Sequence, residues 1–312
     1  MIFTLTPNPS IDRSLTIPQI RFNSVLRSQK TRLDWGGKGF NVSRSLQQFG
    51  VDTTAIAWVG GGSGKMLADG IQSLGIQTDF VWVDNDTRTN TRIDEVEGDW
   101  YIKVNEPGPP ITKDDIDQLF QKVEGYAKKD DIWVLSGSLP PDVPSEFYAD
   151  LIRLFKSRGA KVYLDTSDSA LRYACQAAPF LVKPNASEAG TIVGFEIEDQ
   201  EDAKRAALPF LRMGIDYLAL TMGPMGLLFA TQRDMIHAKP PKINVKNESG
   251  AGDSLLAALI YGQTKGWEPV EIARWAVATG AAAAETEGVS EFDISRIQEI
   301  LPEVESKIIN VM

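Results

Sequence analysis

Three things are scarce in this 312-residue chain, and each scarcity narrows the possibilities. There is one cysteine, Cys175, so no intrachain disulfide and no cysteine-based metal cluster exists. That suits a reducing compartment. No apolar stretch reaches the length needed to span a bilayer. The start, Met1-Ile2-Phe3-Thr4-Leu5-Thr6, enters a strand-like run without a basic leader. The expectation is a cytoplasmic protein. Positive charge is also in deficit: the formal net charge of −10 argues against a nucleic-acid partner, which would need a basic face. Residues 21–44 run against this background, with Arg21, Arg27, Lys30, Arg32, Lys38 and Arg44 against Asp34 alone. Glycines interrupt the cluster, which favours a small-anion site over a solvated surface.

Length and composition, 43% hydrophobic and 24% charged, suit one large α/β domain. Runs 2–6, 51–59, 132–136, 161–165, 180–183 and 217–221 read as buried strands. They alternate with helical segments at 40–49 and about 114–127, 145–158, 200–213, 253–265, 269–285 and 293–309. This pattern predicts a mostly parallel sheet with helices on both faces. Right-handed crossovers then bring the carboxyl ends of the strands to one rim. Polar groups follow those ends: Asp12, Ser136-Gly137-Ser138, Asp165-Thr166-Ser167, Lys183-Pro184-Asn185 with Glu188, and Thr221 to Gly226.

Two stretches break the pattern with alternating, polar-faced strands. One runs from Leu15 to Asp34 and includes Leu26 to Leu33. The other is the pair 89–96 and 100–104 around the hairpin turn Glu97-Gly98-Asp99. Together, insertions at about 13–34 and 87–105 predict a small β-sheet lid over the site. An exposed apolar face on it suggests a homodimer through the lid.

The stretch Asn247-Glu248-Ser249-Gly250-Ala251-Gly252-Asp253-Ser254 precedes a helical apolar run, so its glycines sit at a helix N-terminus. Unpaired N–H groups and a partial positive charge make such an end an anion site. Asp253 there would repel a resting phosphate unless it takes a proton from an attacking hydroxyl. As an alternative, Gly-Ala-Gly-Asp is only an N-cap. Gly36-Gly37-Lys38-Gly39 opens a second helix in the same manner. Gly60-Gly61-Gly62-Ser63-Gly64-Lys65 is no Walker motif, because Val59 and Met66 stand where Gly and Ser/Thr are required.

Seven segments in order carry a resemblance to the PfkB (ribokinase-like) sugar kinases, in their hexose-phosphate branch. They are Thr6-Pro7-Asn8-Pro9-Ser10-Ile11-Asp12, Gly36 to Arg44, Thr87-Arg88-Thr89-Asn90, Asn105 to Pro109, Ser136 to Pro140, Lys183 to Glu188 and Gly250 to Asp253. The resemblance implies a ribokinase-like fold, ATP and Mg²⁺, and a phosphosugar acceptor. It implies Asp253 as general base and the backbone of Gly250, Ala251 and Gly252 as an anion hole. Asp12, Gly37, Asn41, Asn90 and Ser138 fall to the sugar. Asn185 and Glu188 fall to Mg²⁺, and Lys183, Asn185, Thr221, Gly223, Pro224, Gly226 and Thr286 to the nucleotide. Lys38, Arg27 and Arg88 are candidates for the phosphate already on the sugar; a planar guanidinium matches phosphate geometry.

Two positions depart from the family pattern. Glu248 replaces a small hydroxyl residue, which bears on a monovalent cation behind the loop. Thr286 stands where relatives often place Asn near the adenine. His237, the one histidine, lies in a predicted polar hairpin and matches no family site. The expected activity is ATP-dependent phosphorylation of a ketohexose phosphate, foremost fructose 1-phosphate, with tagatose 6-phosphate and fructose 6-phosphate as alternative acceptors. A non-catalytic phosphosugar and nucleotide sensor has no need of Asp253. A nicotinamide oxidoreductase would need Gly-x-Gly-x-x-Gly after the first strand, and none is there.

Overall fold

The computed structural model describes residues 1–98 and 100–310. Among these, an eleven-stranded sheet forms the centre. Its parallel part runs Tyr217–Thr221, Leu181–Val182, Lys161–Asp165, Ile132–Ser136, Ile2–Thr6 and Thr54–Gly60, in that spatial order. Short strands Gln77–Thr78 and Val81–Val83 pair with Thr54–Gly60 at one edge. Three antiparallel strands, Leu227–Thr231, Asp234–Lys239 and Glu305–Asn310, complete the other.

Alternation along each strand sends side chains to two separate cores. Phe3, Trp133, Leu135 and Leu164 meet helices Lys113–Tyr126, Phe147–Ser157, Asp168–Gln176 and Gln200–Arg212 on one face. Trp133 stacks between Phe3 and Phe155 at ring separations of 4.4 and 4.0 Å. On the other face Val134, Tyr163, Leu181 and Ala219 meet helices Lys38–Gln48, Ala251–Thr264, Pro269–Ala284 and Ile294–Ile300. Helix Ala251–Thr264 is buried along most of its length, so its N-terminus is held rigidly against the sheet. The expected α/β architecture with helices on both faces is thereby present.

The lid is a four-stranded sheet in the order Lys30–Gly36, Ser10–Ile17, Arg88–Glu95, Tyr101–Val104. It starts earlier than the expected boundary at 13. Pro7 and Pro9 interrupt the chain only briefly, and from Ser10 it pairs on both sides, Ile11 with Trp35 and with Thr89. Asp12 is therefore a lid-strand residue, not one at the end of a core strand. The expected strand at 26–33 begins only at Lys30. Of the expected turn at 97–99, Asp99 lies outside the described residues.

At the far end, the expected helix 293–309 is instead a helix at Ile294–Ile300, a 3₁₀ turn at Leu301–Glu303 and an edge strand. Pro302 cannot supply a helical N–H, and the alternation beyond it fits the open edge of Asp234–Lys239. Helices Gly61–Ser73, Asp168–Gln176 and Ala186–Val193 are present beyond those expected; the first carries four glycines, and the other two are only nine and eight residues long.

Candidate active site

A cavity of about 640 Å³ lies between the lid and the carboxyl rim of the sheet. Asp12, Gly37, Lys38, Asn41, Arg88, Asn90, Ser138, Glu188 and Gly250 line it, all of them residues singled out above. Gly37 precedes helix Lys38–Gln48 with φ +143°, and a Cβ there would come within 2.8 Å of Thr6. Gly250, with φ +82°, precedes helix Ala251–Thr264, and a Cβ would meet Ser290 Oγ at 2.4 Å. Neither turn accommodates a side chain. No side chain caps either helix; Ala251 N donates to the Glu248 carbonyl at 3.3 Å, and the first-turn N–H groups of Gly252 and of helix Lys38–Gln48 stay available to an anion.

Asp253 is 6% exposed, and its Oδ2 accepts from Asn41 Nδ2 at 2.8 Å. Burial, and then the neighbouring Asp165, push its carboxyl above the usual range, against the pull of Lys38, Asn41 and Lys183. Sequence reasoning placed Asp165 on the rim without giving it a part. It is 1% exposed and takes two lysines: Lys38 Nζ donates to Oδ1 at 2.8 Å, and Lys183 Nζ pairs with Oδ2 at 3.0 Å. Burial would raise its carboxyl, but Lys183 and Lys38 outweigh this and hold it below the usual range. Burial likewise opposes the Lys38 ammonium, and Asp165, Asp253 and Glu188 together raise it above its ordinary value. The only available signal for Asp165 was a carboxylate ending a buried strand.

On the sugar side, Asp12 Oδ1 accepts from Ser10 Oγ and Asn90 Nδ2, each at 2.8 Å. Arg88 donates to the carbonyls of Asn8 at 2.8 Å and Glu106 at 3.0 Å, and Asn8 Nδ2 donates to the carbonyl of Pro107. The segment Asn105–Pro109 is thus tied to the rim beside Asn90. Thr6 Oγ1, Asn8 Oδ1, Asn41 Oδ1 and Arg88 Nε are buried here without protein partners. Buried polar atoms are rarely left so unless a ligand or water satisfies them. Three of the four are acceptor or hydroxyl oxygens, which suits a polyhydroxylated ligand.

Of the three expected phosphate cations, Lys38 and Arg88 line the cavity and Arg27 does not. Arg27 is exposed in the loop after Ile17 and does not line the cavity. Lys38 lines the cavity with its Nζ on Asp165. Arg88 stays on the sugar side, joined by Arg32, Arg92 and Lys103 from the lid's inner face. Strand register aligns Arg32, Ser14, Arg92 and Lys103 in one row across that sheet.

The nucleotide candidates form a neighbouring stretch of the same rim. Lys183 is buried, and a Cβ on Gly252 would come within 3.4 Å of its Nζ. Asn185 and Glu188 make a reciprocal cap on helix Ala186–Val193, with Asn185 Oδ1 accepting from Glu188 N at 2.9 Å. Thr221 bridges to Asn185, and Gly223, Pro224 and Gly226 form the turn that follows. Gly226 packs tightly on Ala238, which excludes any side chain there. His237 donates to or accepts from nothing in the cavity; its Nε2 lies 2.8 Å from the Met225 carbonyl. The Thr286 hydroxyl faces the carbonyls of Ala283, Gly288 and Glu291. Glu248 is exposed.

Residues 7–295 match the profile of the pfkB family of carbohydrate kinases. The chain belongs to that family. As a pfkB carbohydrate kinase it is a phosphotransferase with an alcohol group as acceptor. It is 33% identical to the 1-phosphofructokinase of Bacillus subtilis, covering 97% of this chain and 98% of that one. It is 29% identical to a tagatose-6-phosphate kinase of Staphylococcus epidermidis, covering 98% and 99%. Its structure resembles that of phosphofructokinase-2 from Escherichia coli in complex with potassium, with TM-score 0.91, 29% identity and coverage of 97% and 98%.

Kinases of the pfkB family use ATP and Mg²⁺. Among the described residues no group of three or more His, Cys, Asp or Glu is placed to hold a metal. That fits Mg²⁺, which keeps waters and binds through one or two carboxylates plus substrate phosphates. The Glu188 carboxylate on the cavity wall is of that kind. No helix among the described residues is long and apolar enough to cross a membrane.

Proposed function

We propose that this pfkB kinase transfers the γ-phosphoryl group of ATP to a ketohexose phosphate, with fructose 1-phosphate as acceptor and fructose 1,6-bisphosphate as product. The observation that carries the reading is the meeting of a buried base, Asp253, with an uncapped helix N-terminus and a polar, cation-lined sugar cavity. A sensor would gain nothing from a buried, destabilised carboxylate at that point. The cations on the cavity wall support an acceptor that already carries phosphate: Arg88 and Lys103 stand beside Arg32 and Arg92, which pair with Asp34 and Asp94 at 2.7 and 2.6 Å. Choice of the 1-phosphate follows the 1-phosphofructokinases of Bacillus subtilis and of Vibrio cholerae, which is 30% identical. The S. epidermidis tagatose-6-phosphate kinase keeps a 6-phosphate acceptor as the second reading.

In this mechanism Asp12 Oδ2, Asn41 Oδ1 and Asn90 orient the sugar beneath the lid, with the polar row Arg32, Arg92 and Lys103 and with Arg88 receiving its phosphate. Asp253 accepts the proton of the attacking hydroxyl, and its raised proton affinity suits that task. Backbone N–H groups of Gly250, Ala251 and Gly252 face the charge that develops on the transferring group, with Lys38 and Lys183 alongside. Glu188, fixed by Asn185, would hold Mg²⁺ through water, and the ion would neutralise charge on the nucleotide phosphates. Lys183, Thr221, Gly223, Pro224 and Gly226 take the nucleotide, with Thr286 closing its far side through the backbone. A monovalent cation belongs to the same reading, since potassium accompanies the E. coli relative.

The test is ADP release with Mg-ATP and, in parallel, fructose 1-phosphate, fructose 6-phosphate, tagatose 6-phosphate and fructose. Preference for fructose 1-phosphate is expected. Preference for a 6-phosphate would reverse the sugar in the cavity, and no turnover with any of them would refute the reading.

A further inference from the structure

We propose that Asp165 is a positioning residue for phosphoryl transfer: its single carboxylate holds the ammonium groups of Lys38 and Lys183 side by side at the anion-hole turn and keeps them off Asp253. The proposal rests on the kinase reading above.

The two lysines come from different elements. Lys38 is the first residue of helix Lys38–Gln48, and Lys183 follows strand Leu181–Val182. Brought together alone, they would repel each other. Asp165, at the end of the strand Lys161–Asp165, offers one oxygen to each, at 2.8 and 3.0 Å. The carboxylate is sealed off at 1% exposure, while the Lys38 side chain remains 40% exposed toward the cavity it lines. Negative charge is thus beneath, Lys38 presents positive charge to the cavity, and Lys183, 6% exposed, stands behind it next to Gly252. A pair serving only the fold would need one lysine and no opening.

The cluster also contains a competitor. Asp253 is the other buried carboxylate in the field of both lysines. With Asp165 neutralised, Lys38 and Lys183 have one remaining buried anion to pair with, and that is the base. Pairing would lower its proton affinity and withdraw both ammonium groups from the transferring phosphoryl. Asp165 therefore separates two functions that share one small volume: the lysines meet the phosphoryl charge, and Asp253 remains free to take the proton.

The decisive variant is Asp165→Asn, assayed with Mg-ATP and the preferred phosphosugar. The expected result is a fall in kcat of about a hundredfold or more, comparable to loss of an anion-hole donor. KM for the phosphosugar should stay within about threefold, since its ground-state binding is not the target, and any rise in KM for ATP, which Lys183 meets, should be smaller than the fall in kcat. In Lys38→Met, adding Asp165→Asn should cost little more, because the two act as a unit. A folded Asp165→Asn enzyme with near-normal kcat, a loss confined to KM, or multiplying effects in the double variant would each overturn the proposal. Should Asp165→Asn fail to fold, Asp165→Glu decides: it keeps the charge but displaces the lysines, so kcat should fall, and unchanged kcat overturns the proposal. A readout independent of turnover is the acylation rate of Lys38 by an amine reagent, followed by mass spectrometry. It should rise several-fold in Asp165→Asn at unchanged pH; an unchanged rate counts against the clamp even if the acceptor sugar has been misassigned.

Discussion

The Asn41 side-chain amide donates to Asp253 Oδ2 at 2.8 Å, joining two helices whose sequence positions are 212 residues apart. Because the nitrogen faces Asp253, Asn41 Oδ1 is left without a protein partner. One side chain thus holds the Asp253 carboxylate and keeps an unpaired acceptor at the cavity it lines. Replacing Asp253 by Ala should lower turnover by roughly 10²–10⁴-fold, with ATP binding retained by calorimetry. Turnover close to that of the unaltered enzyme would remove Asp253 from its place as base.

Asp165 and Asp253 predict opposite stability changes. Burial and Asp165 raise the Asp253 carboxyl, so its ionised form is strained in the fold, and Asp253→Asn should raise Tm at pH 7. Asp165 is held low by two lysines, so Asp165→Asn leaves both without their shared counter-ion. Removing one partner of a buried pair costs about 3–5 kcal/mol. Thermal melts of the two variants, compared with the unaltered chain, check the signs.

The same shifts order the pH dependence. Asp253 must be ionised to act as base, so kcat/KM should fall as pH drops through its raised pKa, at a higher pH than an ordinary carboxylate would give. The stabilising share of Asp165 has the reverse sense. Its lowered pKa gives stability that is complete above the unfolded value near about 3.9 and lost as pH falls further. Activity should therefore decline on acidification before the fold does, which parallel rate and circular-dichroism titrations would show.

Arg88 and Lys38 should separate kinetically. Arg88 stands on the sugar side and braces Asn8 and Glu106, so Arg88→Ala should raise KM for the phosphosugar far more than for ATP. Lys38, on the floor between two carboxylates, should act mainly on kcat when replaced. Steady-state kinetics with each substrate varied in turn gives the answer. A KM effect at Lys38 would return it to the sugar phosphate.

On its outer side the lid shows Leu33, Ile102 and Val104, with Trp100 beside them, against the polar row within. A homodimer through this face should give a mass in solution twice the 34.3 kDa of the chain. Leu33→Glu with Ile102→Glu should then yield monomers, by burying charge at the contact. Light scattering on both proteins tests this, and a monomeric unaltered chain would end the idea.

Sequence determined what local pattern can carry. Short apolar runs rich in β-branched and aromatic residues, such as Ile132 to Leu135, read as buried strands, and glycines before Asp253 and before Lys38 mark helix starts. Those signals act within a few residues, so the large sheet, the small second sheet and the glycine-led helix starts were legible. What required tertiary structure was every relation across the chain. Lys38 reaches Asp165 over 127 residues, which no spacing discloses. Arg27 looked like part of a basic cluster, but it lies in the loop after Ile17 while Arg32 and Arg92 align only through strand register. Residues beyond Pro302 could have remained helical or turned extended. An unpaired sheet edge at Asp234–Lys239 decided for strand, because pairing a partner's free N–H and C=O groups outweighs a weak local preference.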